Sequence, residues 1–88
     1  MVWQVRYLSG IEKQLRKLGH EPERRIRRYL DDHVATLENP RDVGHSLLGP
    51  LSGYWRYRVG DYRIICRILD DEVIVLVVEI GHRREVYR

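Results

Sequence analysis

Phenylalanine is absent from this sequence, cysteine occurs once, and lysine is confined to Lys13 and Lys17. Each shortage excludes something. A lone thiol, Cys66, rules out an intrachain disulfide, so packing has to hold the fold, as is usual in a reducing compartment. No run approaches the ~18–20 consecutive apolar residues with which a helix spans a bilayer. The opening MVWQVRYLSG lacks the basic-then-apolar layout of a secretory leader. The expectation is a soluble, cytoplasmic protein with no membrane partner. His20, His33, His45 and His82 are scattered without metal-ligand spacing, so neither a metal nor another cofactor is expected. With 88 residues, the chain has room for one domain, 1–88, and a modest core.

What is present in quantity is arginine. The 16 lysines and arginines, less Lys13 and Lys17, leave fourteen arginines in a chain of net charge +3. That excess is small, and by itself only weakly favours an anionic partner. The kind of cation says more. A guanidinium presents a planar fork of donors that matches phosphate oxygens and stacks on bases.

Periodicity sets the coarse organisation. Residues 2–7 alternate, with Val2, Gln4 and Arg6 on one side and Trp3, Val5 and Tyr7 on the other, which predicts a strand. Ser9 to Glu12 has the spacing of a capping box. A helix is expected to follow to about Leu18, with Ile11, Leu15 and Leu18 on one stripe and Gly19 ending it. Pro22 suits the first turn of a second helix. There Ile26, Leu30, His33, Val34 and Leu37 form an apolar stripe, and Arg24, Arg25, Arg27, Arg28, Asp31 and Asp32 form a solvated face. Residues 39–53 are rich in Gly and Pro and read as a long loop. Strands are predicted at about 54–59, 62–69 and 73–80. The order β-α-α-β-β-β predicts an α+β domain, a mainly antiparallel sheet with two N-terminal helices packed on one face.

Gly60-Asp61 joins two of these strands as a two-residue hairpin turn, which sets a register. Val59 is expected to face Tyr62, Arg58 to face Arg63, Arg56 to face Ile65 and Tyr54 to face Arg67. One sheet face then carries Tyr54, Arg56, Arg58, Arg63, Ile65 and Arg67. The other carries Trp55, Tyr57, Val59, Tyr62, Ile64, Cys66 and Ile68, the set suited to meet the helices. A three-residue turn over Asp70 to Glu72 would pair Leu69 with Val73 and set Glu79 against Arg63. Like charges opposed across strands destabilise a sheet. A bound polyanion would supply a reason for the arginines.

Leu48-Gly49, the run Trp55-Arg56-Tyr57-Arg58-Val59-Gly60-Asp61-Tyr62-Arg63, and the closing Gly81-His82-Arg83-Arg84-Glu85-Val86-Tyr87 together resemble the RelE-like toxins. These belong to the RelE/ParE superfamily of type II toxin–antitoxin systems. The resemblance covers essentially the whole chain. It implies a metal-independent endoribonuclease, an mRNA interferase that enters the ribosomal A site. There the 2′-hydroxyl attacks the adjacent phosphate, leaving a 2′,3′-cyclic phosphate and a 5′-hydroxyl, and translation stops. The implied catalytic positions are Arg56, Arg58, Arg63, Arg83 and Tyr87. The RelE-like pattern has lysines at the first two. Arginine does not give up its proton, so Arg56 and Arg58 are expected to bind phosphates and stabilise transition-state charge. Tyr87 is the candidate base, provided that neighbouring arginines lower it from the usual ~10. Arg83 is the candidate on the leaving-group side. Tyr54, Arg67 and Arg84 are expected RNA contacts, whereas Trp55 and Tyr57 are expected in the core. The implied partners are the ribosome, mRNA and a cognate antitoxin, with DNA reached only through that antitoxin. Two further readings suit the same chain: a ParE-like inhibitor of DNA gyrase and a non-catalytic basic RNA-binding module.

Overall fold

Alternation of apolar and polar side chains gives strand β1, Gln4–Tyr7, and the computed structural model describes residues 2–82 of the chain. Helix α1, Ile11–Lys17, follows, and then α2, His20–Arg28, which runs on as a π-helical turn over Tyr29–Val34. Four more strands complete the sheet: β2, His45–Ser46; β3, Trp55–Val59; β4, Tyr62–Leu69; and β5, Ile74–His82. Their spatial order is β1-β5-β4-β3-β2. Only β1 and β5 pair in parallel; the remaining pairs are antiparallel. The α+β class and the two helices on one face stand as expected, and β2 is an addition to the expected strands.

The start of α1 corrects the expected capping box. Gly10, at φ 91°, is the residue before the first turn, and no side chain caps it. Left-handed backbone is open to glycine at little cost, so the helix begins one residue later than serine capping would place it. Glu12 is engaged elsewhere: its carboxylate accepts from the Arg27 guanidinium. That bond holds Glu12 below the usual carboxylate range. Arg27 also donates to Glu23 at 3.0 Å and stacks over the Tyr7 ring, 5.1 Å from its centroid. It is therefore a bridge between α2, α1 and β1 rather than part of a solvated face.

The π turn corrects the stripe on α2. Ala35 donates its N–H to the Leu30 carbonyl at 2.8 Å, one residue further along than an α-helical bond reaches. Ile26, Leu30 and Val34 are fully buried, whereas His33 is exposed with its ring tilted against Tyr29. Together with Leu15 they meet Tyr57, Ile64, Cys66, Val75 and Val77 from the sheet, all at 0% exposure. Burying each aliphatic side chain contributes roughly 1.5–3 kcal/mol. The same burial pushes the Cys66 thiol well above its usual value, so it serves as core.

The β3–β4 register is the expected one over Trp55–Val59, including Arg58 opposite Arg63 and Arg56 opposite Ile65. The β4–β5 register differs. Leu69 pairs with Ile74, because the turn takes four residues and places Val73 in left-handed backbone at φ 57°. Past Cys66–Val77, one extra residue, Val78, bulges, and Ile65 pairs with Glu79. The physical reason is burial. The expected register would have turned Val75 and Val77 onto the arginine face, since a one-residue slip exchanges the faces of a strand. The observed one buries both, and the bulge restores the phase so that Ile80 is buried while Glu79 stays exposed.

Candidate functional site

The sheet face away from the helices gathers basic side chains from four of the five strands. Opposed residues share a face, so the pairings define three rows. Arg58 and Arg63 form one with Gly81, and Arg56 lies in the next with Ile65 and Glu79. Arg67 lies in the third, with Leu76 and then Arg6 of β1. Arg56 and Arg63 are half-buried, while Arg58 and Arg67 are exposed. Burial, and after it the guanidiniums of Arg56 and Arg58, hold Arg63 below the ordinary arginine value. The three charges thus form one electropositive group. Ile65 sits among them and is only 7% exposed although it points away from the core. Long arginine stems lie over apolar surface in this way while their heads stay in water.

The arginines are fixed from behind. On the helix side of β3, Tyr57 is fully buried and its hydroxyl donates to the Pro40 carbonyl at 2.7 Å. The Trp55 indole N–H donates to the Val43 carbonyl, also at 2.7 Å. Both aromatics therefore serve as anchors on the core side, as expected, and they tie the loop of residues 39–53 to the strand that carries Arg56 and Arg58. That loop is ordered further by Arg41, whose guanidinium makes a two-pronged bond to Asp70 at 2.9 Å on each prong. Tyr54 immediately precedes β3 and is half-buried, with its carbonyl accepting from Leu47 N at 3.2 Å.

Of the sequence-predicted site residues, Arg56, Arg58, Arg63 and Arg67 are brought together. Arg83, Arg84 and Tyr87 lie outside the described residues. The described chain ends β5 at His82, next to the Arg63–Gly81 pair. His82 itself belongs to the opposite face. It is half-buried, with its ring edge-on to Tyr62 at 5.2 Å, beside Pro22, Arg25 and Ile26 of α2. Among the described residues, no three His, Cys, Asp or Glu side chains converge as metal ligands, and no helix is long and apolar enough to cross a membrane.

Two residues join the face that the sequence did not assign to it. His45 of β2 is the cross-strand partner of Arg56, and Arg6 reaches the face through the β1–β5 pairing. A two-residue strand inside a Gly/Pro-rich loop leaves no periodic signal, so His45 had none. Arg6 had the correct alternation, but only the strand order reveals its neighbours.

Comparison with known proteins agrees with this architecture. The chain matches the family described as the ParE toxin of type II toxin–antitoxin system, parDE, over residues 5–87. It is 30% identical to Toxin RelG of Mycobacterium tuberculosis over 89 residues, covering 100% of this chain and 99% of that protein. It is 33% identical to the mRNA interferase toxin RelE of Escherichia coli over 78 residues, 85% of this chain and 79% of that protein. Among solved structures, the toxin–antitoxin complex RelBE2 from M. tuberculosis superposes with a TM-score of 0.83 at 25% identity, covering 94% of this chain and 93% of that one. A mutant of E. coli RelE in the free state superposes with a TM-score of 0.73 at 24% identity, over 99% of this chain and 92% of that one, a likeness of fold.

Proposed function

Because the chain belongs to the RelE/ParE superfamily of type II toxins, we propose that it is a ribosome-dependent mRNA interferase. The observation that carries this is the outer sheet face, where Arg56, Arg58 and Arg63 form one electropositive group with Arg67 beside it. Two relatives, 30% and 33% identical to the chain, one of them named an mRNA interferase, support the same assignment.

The reaction is an in-line displacement at phosphorus by the neighbouring 2′-hydroxyl. Charge builds on the non-bridging oxygens, and guanidiniums fixed on a sheet stabilise it without having to reorganise. Arg56, Arg58 and Arg63 take that part, joined by Arg83. Tyr87 handles a proton. Tyr54, Arg67 and Arg84 extend the contact to RNA on either side of the scissile phosphate. No step calls for a metal. The toxin works in the cytoplasm on mRNA in the ribosomal A site. Its cognate antitoxin holds it in check, and DNA is engaged only through that antitoxin.

Primer extension on reporter mRNAs after induced expression is the test. Discrete cuts within translated frames, lost on Arg63→Ala, are the expected result; growth arrest with intact mRNA would overturn it. The match to the ParE description favours one other reading, inhibition of DNA gyrase. Loss of supercoiling in a gyrase assay, with no cleavage of mRNA on ribosomes, would establish it instead.

A further inference from the structure

We propose that His45 is a further catalytic residue of the arginine face, the group that takes the proton from the attacking 2′-hydroxyl. The inference rests on the RNA-cleavage assignment above. That reaction needs a proton acceptor close to the guanidiniums that hold the phosphate. Guanidiniums keep their protons, so Arg56, Arg58, Arg63 and Arg67 cannot accept one. Among the described residues paired across this face, His45 and Glu79 are the acid–base groups, and both lie in the row of Arg56. They differ in place and charge. His45 is the direct partner of Arg56, and directly opposed side chains on antiparallel strands have Cβ atoms about 4.5–5.5 Å apart. Glu79 lies on the far side of Ile65, two strands from Arg56, with a negative charge that repels an incoming phosphate. An imidazole is neutral in about half or more of its molecules near pH 7, which makes it the ordinary side chain best matched to accept a proton there.

His45 is held in place on both sides. Before it, the Val43 carbonyl accepts from the Trp55 indole at 2.7 Å, and Gly44 packs so tightly that a Cβ there would lie 2.6 Å from the Arg56 carbonyl oxygen. After it, Leu47 N donates to the Tyr54 carbonyl at 3.2 Å. The two-residue strand is thereby locked in the register that sets an exposed imidazole beside Arg56. Among the described residues, its cross-strand neighbours come from the β3 side: Arg56 directly, Arg58 and Tyr54 diagonally. On its other side β2 is the edge of the sheet.

The step balances without any further reagent but water. The neutral imidazole takes the 2′-hydroxyl proton as the 2′-oxygen bonds to phosphorus. The bond from phosphorus to the 5′-oxygen breaks, and that oxygen takes a proton from the Tyr87 hydroxyl, which regains one from water. The imidazolium then returns its proton to the hydroxide left behind, giving the 2′,3′-cyclic phosphate and the 5′-hydroxyl.

The experiment is single-turnover cleavage of mRNA on programmed ribosomes between about pH 5.5 and about pH 8.5, a range that brackets an imidazole's titration. The full-length protein is compared with His45→Gln and Glu79→Gln, with thermal melts to confirm that each variant is folded. The wild-type rate is expected to rise with pH and then level off. His45→Gln should be slower by about 100-fold or more, with that rise abolished, and Glu79→Gln should keep both rate and profile. A His45→Gln protein with the wild-type rate or the wild-type profile overturns the role of His45 while the interferase assignment stands. So does loss of the rise in Glu79→Gln alone. No cleavage by the wild-type protein at any pH overturns both.

Discussion

Arg58 and Arg63 are direct cross-strand partners in the β3–β4 hairpin, two like charges on one face of adjoining strands. Arg56 adds a third charge that Arg63 senses, since both neighbours lower its hold on its proton. Opposed like charges cost a sheet roughly 0.2–1 kcal/mol relative to neutral pairs. A bound polyanion would offset that local cost.

Replacing the exposed Arg58 with glutamine relieves that repulsion. Arg58→Gln is expected to leave the urea midpoint unchanged or to raise stability by up to about 1 kcal/mol, while mRNA cleavage falls by at least tenfold. Urea titration alongside primer extension checks both. A variant that loses stability and activity together would mean that the arginine is there for the fold.

Tyr7 stores a different kind of cost. Its hydroxyl is buried and has no hydrogen-bond partner among the described residues. Burial first, and then the Asp31 carboxylate, push its pKa up to about 12 against the opposing pull of Arg27. A phenol whose pKa is higher in the folded state favours folding below the unfolded value of ~10, and that contribution is lost as pH rises through the folded value. Stability is therefore expected to fall between about pH 10 and about pH 12. Tyr7→Phe should raise stability at neutral pH by about 1 kcal/mol, by removing the unsatisfied hydroxyl, and flatten part of the alkaline fall. Urea melts at neutral and alkaline pH decide the matter: an unchanged alkaline slope in Tyr7→Phe would refute it.

The sequence was most legible where one physical rule acted alone. The two-residue Gly60-Asp61 turn fixes the β3–β4 pairing, and with it the grouping of Arg56, Arg58, Arg63 and Arg67 on one face. Local rules failed where a distant contact outweighed them. Ser9 does not cap α1, because Gly10 can turn left-handed and Glu12 bonds Arg27 on another helix. The β4–β5 register depends on which of two apolar sets, Val75 and Val77 or Ile74 and Leu76, the helices bury. A strand apolar at nearly every position does not encode that choice. His45 was invisible because β2 is two residues long and is held by distant contacts, among them the bonds from Trp55 and Tyr57 to the preceding loop.

Two exposed carboxylates set the acid side of the stability profile. Bonds from Arg41 to Asp70 and from Arg27 to Glu12 hold both acids below the usual range. A carboxylate whose pKa is depressed by folding favours the fold above its unfolded pKa, and the contribution disappears as pH falls through the folded value. Stability should therefore decline below about pH 4, less steeply in Asp70→Asn and Glu12→Gln, and the difference should shrink in high salt. Thermal melts from neutral to acid pH at low and high salt measure this. Identical acid limbs in all three proteins would show that these ion pairs contribute nothing.

Gly44 is where fold and site meet, and it can be tested against another glycine. Both Gly44 and Gly49 have positive φ, 83° and 70°. An alanine Cβ at Gly49 would meet nothing within 4 Å, whereas at Gly44 it would lie 2.6 Å from the Arg56 carbonyl oxygen and 2.7 Å from the Trp55 indole nitrogen. Left-handed backbone alone costs an alanine roughly 1–2 kcal/mol, and that is the whole expected loss in Gly49→Ala. In Gly44→Ala the loop has to move off β3 as well, which breaks the bond from Trp55 to Val43 and adds about 1–3 kcal/mol for a buried partner left unsatisfied. The displaced segment carries His45, so Gly44→Ala should also slow cleavage in conditions where most of the protein is still folded. Urea titration of the two variants, with cleavage assayed well below either melting temperature, separates the terms. Equal losses of stability at the two positions would mean that the close approach at Gly44 is dispensable and that β2 is held by other contacts.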